Sequence, residues 1–209
     1  MKFLCALVGA LALMMSLAVA ANERIARAAN ALKSGDYSTA AQIAVPLSEA
    51  GNADAQLLVG IMYFGGLGFP ESQSKAYDMY TLAAAQNQPA AMHNLASMHY
   101  RGEAVSINFA KARNLNRQAA ELGLTIAQHD YAAMLLSGIG GSADRNKAAY
   151  WFKKSADGGY PRAAFRFGVL MSEGPNADQN ISVRYLCRAL KLGSREAEQV
   201  LVSARSLCR

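Results

Sequence analysis

The sequence predicts an all-α solenoid of stacked helix pairs, on three observations. Ala55, Ala91, Ala127 and Ala163 recur at intervals of thirty-six residues. Gly66, Gly102, Gly138 and Gly174 keep the same interval, as do the pairs Lys75-Ala76, Lys111-Ala112 and Lys147-Ala148. Inside each interval the apolar residues fall twice at helical spacing, separated by glycines. A fixed period of this length marks an array whose units cannot bury a core singly and must stack. Such a stack offers an extended curved surface to a partner, and the period itself supplies no chemistry.

The elements follow in order. Ile25 to Leu32 forms the first helix of a partial N-terminal pair; Gly35-Asp36-Tyr37 turns, and Ser38 caps a helix beginning at Thr39. Ala40 stands thirty-six residues before Ala76, which sets the register. The unit from Ala90 shows the pattern most clearly. Ala91, Leu95, Ala96 and Met98 make one apolar face of its first helix, and Gly102 closes that helix in the left-handed conformation. Its second helix starts near Phe109, with Ala112, Leu115, Ala119 and Leu122 on the buried side. In the next unit Ala127, Tyr131, Ala132 and Leu135 line the first helix, and Ala148, Trp151, Phe152 and Ala156 line the second. The last full unit has a loop two residues shorter and reaches its second helix near Ile181. A terminal helix from Ser194, N-capped by Ser194, carries polar residues on one side and seals the end of the array. The expected organisation is a signal segment 1–21 and one repeat domain 22–209. That domain divides into a partial pair 22–52, repeats 53–89, 90–125, 126–161 and 162–193, and a capping helix 194–209. This reading gives ten helices and no strands.

Composition narrows the function classes. Hydrophobic residues make up 52% and charged residues 17%, which suits an alanine-rich helical array rather than a disordered chain. The net charge is +6, but no basic run exceeds Lys153-Lys154. Scattered charge of this kind favours acidic partners weakly and makes no nucleic-acid footprint, which needs a clustered patch. Lys2, the apolar run Phe3 to Val19 and the small residues Ala18-Val19-Ala20-Ala21 read as a secretory signal peptide cut before Ala21 or Asn22. The expected location is therefore the periplasm or the outside of the cell, and Cys5 leaves with the peptide. Cys187 and Cys208 remain, and an oxidising compartment permits a bridge between them. Two readings stay open: a disulfide, or a buried Cys187 with a free thiol at Cys208.

Catalytic constellations are weak. His93 and His129 are thirty-six residues apart and so occupy equivalent positions on neighbouring helices. Metal sites usually need three or four ligands, and the nearest donors, Asp130 and Asn94, are expected to point around the helix. His99 reads as a packed histidine. The loops Gly65-Gly66-Leu67-Gly68 and Gly138-Ile139-Gly140-Gly141 lack the lysine and hydroxyl of a phosphate-binding loop and follow no strand. No Gly-x-Ser-x-Gly elbow is present. The expectation is a non-enzymatic protein with no cofactor and no metal.

The segment Ala91-Met-His-Asn-Leu-Ala-Ser-Met-His-Tyr-Arg-Gly102, followed by Lys111-Ala112 and Ala119-Ala120-Glu-Leu-Gly123, resembles the Sel-one-like repeat. Ala55, Gly60, Tyr63, Gly66 and Gly68 match it too, as do Lys147-Ala148, Trp151-Phe152, Ala156 and Gly159. Departures are His99, Leu135 and Met171 at the tyrosine position and Ala96 and Ala132 at a glycine position. The resemblance covers nearly all of the chain after residue 21. It implies a right-handed, tetratricopeptide-like α/α superhelix that binds proteins or peptides, often as an exported envelope or signalling adaptor. A cysteine-rich branch linked to β-lactam binding carries a disulfide in each repeat, and this chain lacks those pairs.

In such stacks the first helix of each pair lines the concave face. The periodic positions then assign Leu57, Ile61 and Phe64 to the groove, followed by His93, Ser97, Tyr100 and Arg101, then His129, and then Arg162, Phe165 and Glu173. Apolar anchors would lie toward the N-terminal side and charge further on. Exposed apolar clusters mark contact sites, and tyrosine and arginine dominate binding hot spots. The expected partner is a protein or peptide of the cell envelope, with neither nucleic acid nor stable membrane insertion. The alternatives are a secreted factor acting on a host or competitor, and a binder or hydrolase of a cell-wall-derived small molecule.

Overall fold

The computed structural model describes residues 19–173, 177–200 and 208. The signal-segment expectation for residues 1–18, Gly174 and most of the tail after Val200 lie outside the described residues. Every regular element among the described residues is a helix. They are α1 (19–33), α2 (Tyr37–Glu49), α3 (Ala53–Phe64), α4 (Gln73–Ala84), α5 (Pro89–Arg101) and α6 (Phe109–Glu121), then α7 (Thr125–Ser137), α8 (Arg145–Asp157), α9 (Pro161–Ser172), α10 (Gln179–Lys191) and α11 (Arg195–Val200). Among the described residues these are eleven helices rather than ten: five pairs and the terminal α11, so the expected total was one short of its own elements.

The second helix of each pair begins where a second period places a cap. Asp36, Ser72, Asn108 and Asp144 lie thirty-six residues apart, and Asp178 follows after the shortened loop. Each side chain accepts the backbone N–H three residues on, at 2.9–3.3 Å, and so satisfies one of the helix's unpaired donors. This corrects two starts. Asp36, not Ser38, caps α2, and α10 begins at Gln179 rather than Ile181. At the other end of α3, α5 and α7, Gly66, Gly102 and Gly138 have φ of +64°, +76° and +69°, which explains why the period demands glycine there.

The chain divides into two compact units, the first ending at Ala91 and the second beginning at Met92, within α5. In the first unit α2 packs on α3 and α3 on α4. Its core joins Ala28, Ala44, Leu58 and Val59, with Leu32, Ile43 and Met79 packed around them. In the second unit α6 packs on α7, α7 on α8, α8 on α9 and α9 on α10, and α11 closes against α9 and α10. Ala96, Ala112 and Met134 form a cluster that joins α5, α6 and α7.

The periodic alanines explain the close stacking. Ala55, Ala91, Ala127 and Ala163 are fully buried, and so are Ala40, Ala76, Ala112 and Ala148. Small side chains at a helix contact let the two helices pack closely. Leu122 departs from its expected burial: it is 50% exposed, because it is the C-cap of α6 rather than part of its packed face. Trp151 is half-buried, edge-on to Tyr131 and with Lys154 over its ring. Tyr185, Lys153 and Arg188 converge on Asp157, tying α8 to α10.

Candidate functional site

The second unit holds a cleft of about 530 Å³ between α5, α6, α7 and α9. Helix α5 contributes His93, Ser97, Tyr100 and Arg101, all on one stripe of the helix. Helix α7 adds Ile126, Asp130, Ala133 and Ser137, and α9 adds Arg162. Three or four residues separate most neighbours in each set, the spacing that puts side chains on a single helical face. Ala96, Met134 and Ile139 supply an apolar floor, and Asn116 reaches in from α6.

A polar network crosses the floor. His93 Nδ1 lies 3.1 Å from Asn116 Oδ1, a hydrogen bond donated by the ring. The Asn116 amide donates to Met134 Sδ at 3.6 Å. Asp130 stands between the two repeat-related histidines, 2.8 Å from His129 Nδ1 and 3.7 Å from His93 Nδ1. Its expected orientation, around the helix and away from them, is therefore corrected: one residue past His129, it turns back along α7 to reach both rings. His129 is further held edge-on to Phe152 and Tyr160. Among the described residues no set of three His, Cys, Asp or Glu side chains is arranged to hold a metal ion.

Tyr100 is 43% exposed and packs edge-on to Phe109 at 5.2 Å. Arg101 and Arg162 project from the cleft, each 3.6 Å from a carboxylate, Glu103 and Glu196 respectively. Phe165, His129 and Arg162 share a smaller hollow of about 250 Å³ with Glu196. Glu173 is exposed, and its backbone carbonyl accepts a hydrogen bond from Arg145. Leu57, Ile61 and Phe64 belong to the first unit, where all three are half-buried; they are not among the residues lining the cleft. His99 is 5% exposed, and burial together with the Lys111 charge holds its pKa below the usual histidine value. Cys187 and Cys208 are joined, with their α-carbons 5.2 Å apart.

Sequence reasoning missed Asn116, Asp130 and Tyr160 as parts of this cleft. Asn116 sits on a second helix, which the groove rule passes over. The available signal was its repeat position, which holds Tyr80 one unit earlier and Phe152 one unit later.

The Sel1 repeat model matches residues 53–88, 89–124, 125–160 and 161–194, more than half of the chain. Exopolysaccharide production negative regulators of Rhizobium leguminosarum bv. viciae and Rhizobium meliloti (strain 1021) are 30% and 31% identical over 162 and 163 residues. Those matches cover 70% and 71% of this chain, and the chain spans 61% of the length of each relative. A Sel1 repeat protein from Oxalobacter formigenes superposes with a TM-score of 0.79 at 26% identity, over 86% of this chain and 72% of that one. The protective antigen c5321 of uropathogenic Escherichia coli, which displays an SLR fold, superposes with a TM-score of 0.72 at 24% identity, over 79% of this chain and 37% of that one. Sel1 repeats generally mediate protein–protein interaction, and the family is typically a non-enzymatic scaffold. The periodic alanines and glycines, the helix pairs and these matches agree, and the chain belongs to the Sel1 repeat family, with a tetratricopeptide-like helical solenoid fold.

Proposed function

We propose that this protein is an exported, non-enzymatic adaptor that holds a segment of a partner protein in the cleft between α5, α7 and α9. The cleft carries the reading. It has an apolar floor, a half-exposed tyrosine and two projecting arginines, the composition of an interface hot spot rather than of a reaction centre. The location in the envelope or outside the cell is supported by residues 1–21, whose basic start, apolar run and small-residue end fit a signal peptide. Intact-mass measurement of native protein tests export, since retention of those residues would reject cleavage.

The partner-binding reading is tested with a photocrosslinking amino acid placed in living cells at Ser97 and, as control, at Tyr150, which is 58% exposed on α8 and outside the cleft. A specific protein adduct from Ser97 and none from Tyr150 supports the cleft; no Ser97 adduct rejects it. The relatives named as negative regulators of exopolysaccharide production favour a pathway in which the adaptor restrains an envelope polysaccharide. Deletion of the gene should then raise the yield of extracellular polysaccharide.

A further inference from the structure

The cleft lies at the pair whose second helix carries an amide at a repeat position that is apolar or aromatic in the other pairs. At the thirty-six-residue interval the second helices carry Ala44, Tyr80, Asn116 and Phe152, and after the shortened loop Leu186. Tyr80, Phe152 and Leu186 are 3%, 1% and 8% exposed and fill the space between the paired helices. The filling is tight. A Cβ on Gly60 would come within 2.6 Å of the Tyr80 ring, and one on Gly168 within 2.8 Å of Leu186. In the α5–α6 pair the same position is Asn116, equally buried at 6% but smaller and polar. Interiors are close-packed, so a side chain shorter than the rings of the two adjoining repeats, Tyr80 and Phe152, leaves room. Asn116 also sets an unusual polar group there. Its oxygen is taken by His93, whereas among the described residues its N–H donors meet only Met134 sulfur, a weak acceptor.

The charged side chains in the lining are two guanidiniums and one carboxylate, Arg101, Arg162 and Asp130. Arg101 and Arg162 stand at the rim, and their nearest carboxylates are 3.6 Å away, beyond a good hydrogen bond. The carboxylate in the lining, Asp130, already faces His93 and His129. An arriving group therefore meets two guanidinium forks and an amide donor, with Ala96 and Met134 beside them.

Building on the adaptor reading above, we infer that the α5–α6 opening is a recognition pocket for an acidic, aliphatic-bearing segment of the partner protein. The segment's aliphatic side chain fills the space that a ring occupies in the neighbouring repeats. Its backbone carbonyl accepts from the Asn116 amide, and its carboxylates meet Arg101 and Arg162. An acidic polysaccharide would satisfy the arginines but has no aliphatic branch for the apolar part of the opening, so a protein segment fits better.

The test uses the full exported chain and two fluorescein-labelled decapeptides, one alternating glutamate with leucine and one alternating lysine with leucine. Anisotropy titrations should show the glutamate peptide bound at least ten-fold more tightly than the lysine peptide. Asn116→Phe restores the side chain of the next repeat, so it should melt at or above wild type while losing about ten-fold or more of the affinity. The double variant Arg101→Glu, Arg162→Glu should reverse the peptide preference. Equal binding of the two peptides, unchanged binding by a folded Asn116→Phe variant, or displacement only by polygalacturonate would each overturn the inference. The Ser97 crosslink separates this from the adaptor reading. An adduct whose captured segment is neutral or basic defeats the acidic pocket alone, whereas no adduct defeats both.

Discussion

Gly140 and Gly159 ask the same of the backbone and different things of the packing. Their φ values are +74° and +89°, so alanine at either must enter the left-handed region. That costs about 1–2 kcal/mol, offset by about 0.4–1 kcal/mol because alanine restricts the unfolded chain. At Gly159 the added Cβ would meet nothing within 4 Å, and Gly159→Ala should destabilise by about 1 kcal/mol. At Gly140 the Cβ would press on the carbonyl of Phe109, with the carbonyl carbon at 2.7 Å and Arg113 Cβ at 3.1 Å. Phe109 is the first residue of α6, so this obstacle is helix backbone and cannot swing aside. Moving the α7–α8 loop away should add about 1–3 kcal/mol, for a total of about 2–4 kcal/mol. In a domain of this size about 1 kcal/mol lowers the melting temperature by about 2–4 °C. Gly159→Ala should therefore melt about 2–4 °C below wild type, and Gly140→Ala about 5–15 °C below. Thermal melts by far-ultraviolet circular dichroism, paired with urea titrations, read both. Equal shifts in the two variants would refute the claim that the loop is pinned against α6. The consequence reaches the cleft, because the adjacent Ile139 is part of its lining.

Four further outcomes are expected. Phe152 is 1% exposed, and Phe152→Ala should cost about 3–5 kcal/mol in urea denaturation; a loss below about 1.5 kcal/mol would mean that the site collapses around the gap. Burial pushes the Asp157 carboxyl up, but hydrogen bonds from Lys153 and Tyr185 and the Arg188 charge hold it below the usual range. Its contribution is present above about pH 4 and is lost as the pH falls through the lower folded value, so Asp157→Asn should be less stable than wild type at pH 7 and converge with it as the pH falls below that value. The His99 pKa is depressed by burial and by Lys111, so the unfolded chain takes up the proton first and stability falls as the pH drops below about 6.5. His99→Gln should flatten the stability difference between pH 7.5 and 5.5, and an unchanged slope would assign that loss to other groups. The Cys187–Cys208 bridge closes a loop with a separation of 21 residues, and its reduction should cost about 3 kcal/mol. Alkylation of both thiols without reductant, seen by intact mass, would reject the pairing.

The helix pairs were legible in the chain because their signals are local and repeated. Ala91 and Ala127 recur as fully buried positions, and Gly102 and Gly138 recur at left-handed helix ends. The cap series was equally local, but at the first pair Ser38 and Asp36, two residues apart, both have the chemistry of a cap. Only the backbone geometry chose Asp36, whose carboxylate accepts from Thr39. Leu122 shows the limit of periodicity: it falls on the apolar side of α6, yet the helix ends there and the side chain meets solvent.

The cleft was legible in part. His93, Ser97, Tyr100 and Arg101 share one stripe of α5, a relation that helical spacing alone dictates. Asn116 and Tyr160 enter from other elements, and the meeting of Asp130 with both histidines depends on how α5 and α7 lie side by side. Spacing along the sequence thus determined which residues form helices, where these stop and which faces they bury, because those properties depend on neighbours within a turn. The tertiary structure alone decided that His93, Asn116, Asp130 and Arg162 line one cleft, because that depends on how helices distant in sequence are brought together by the chain's return.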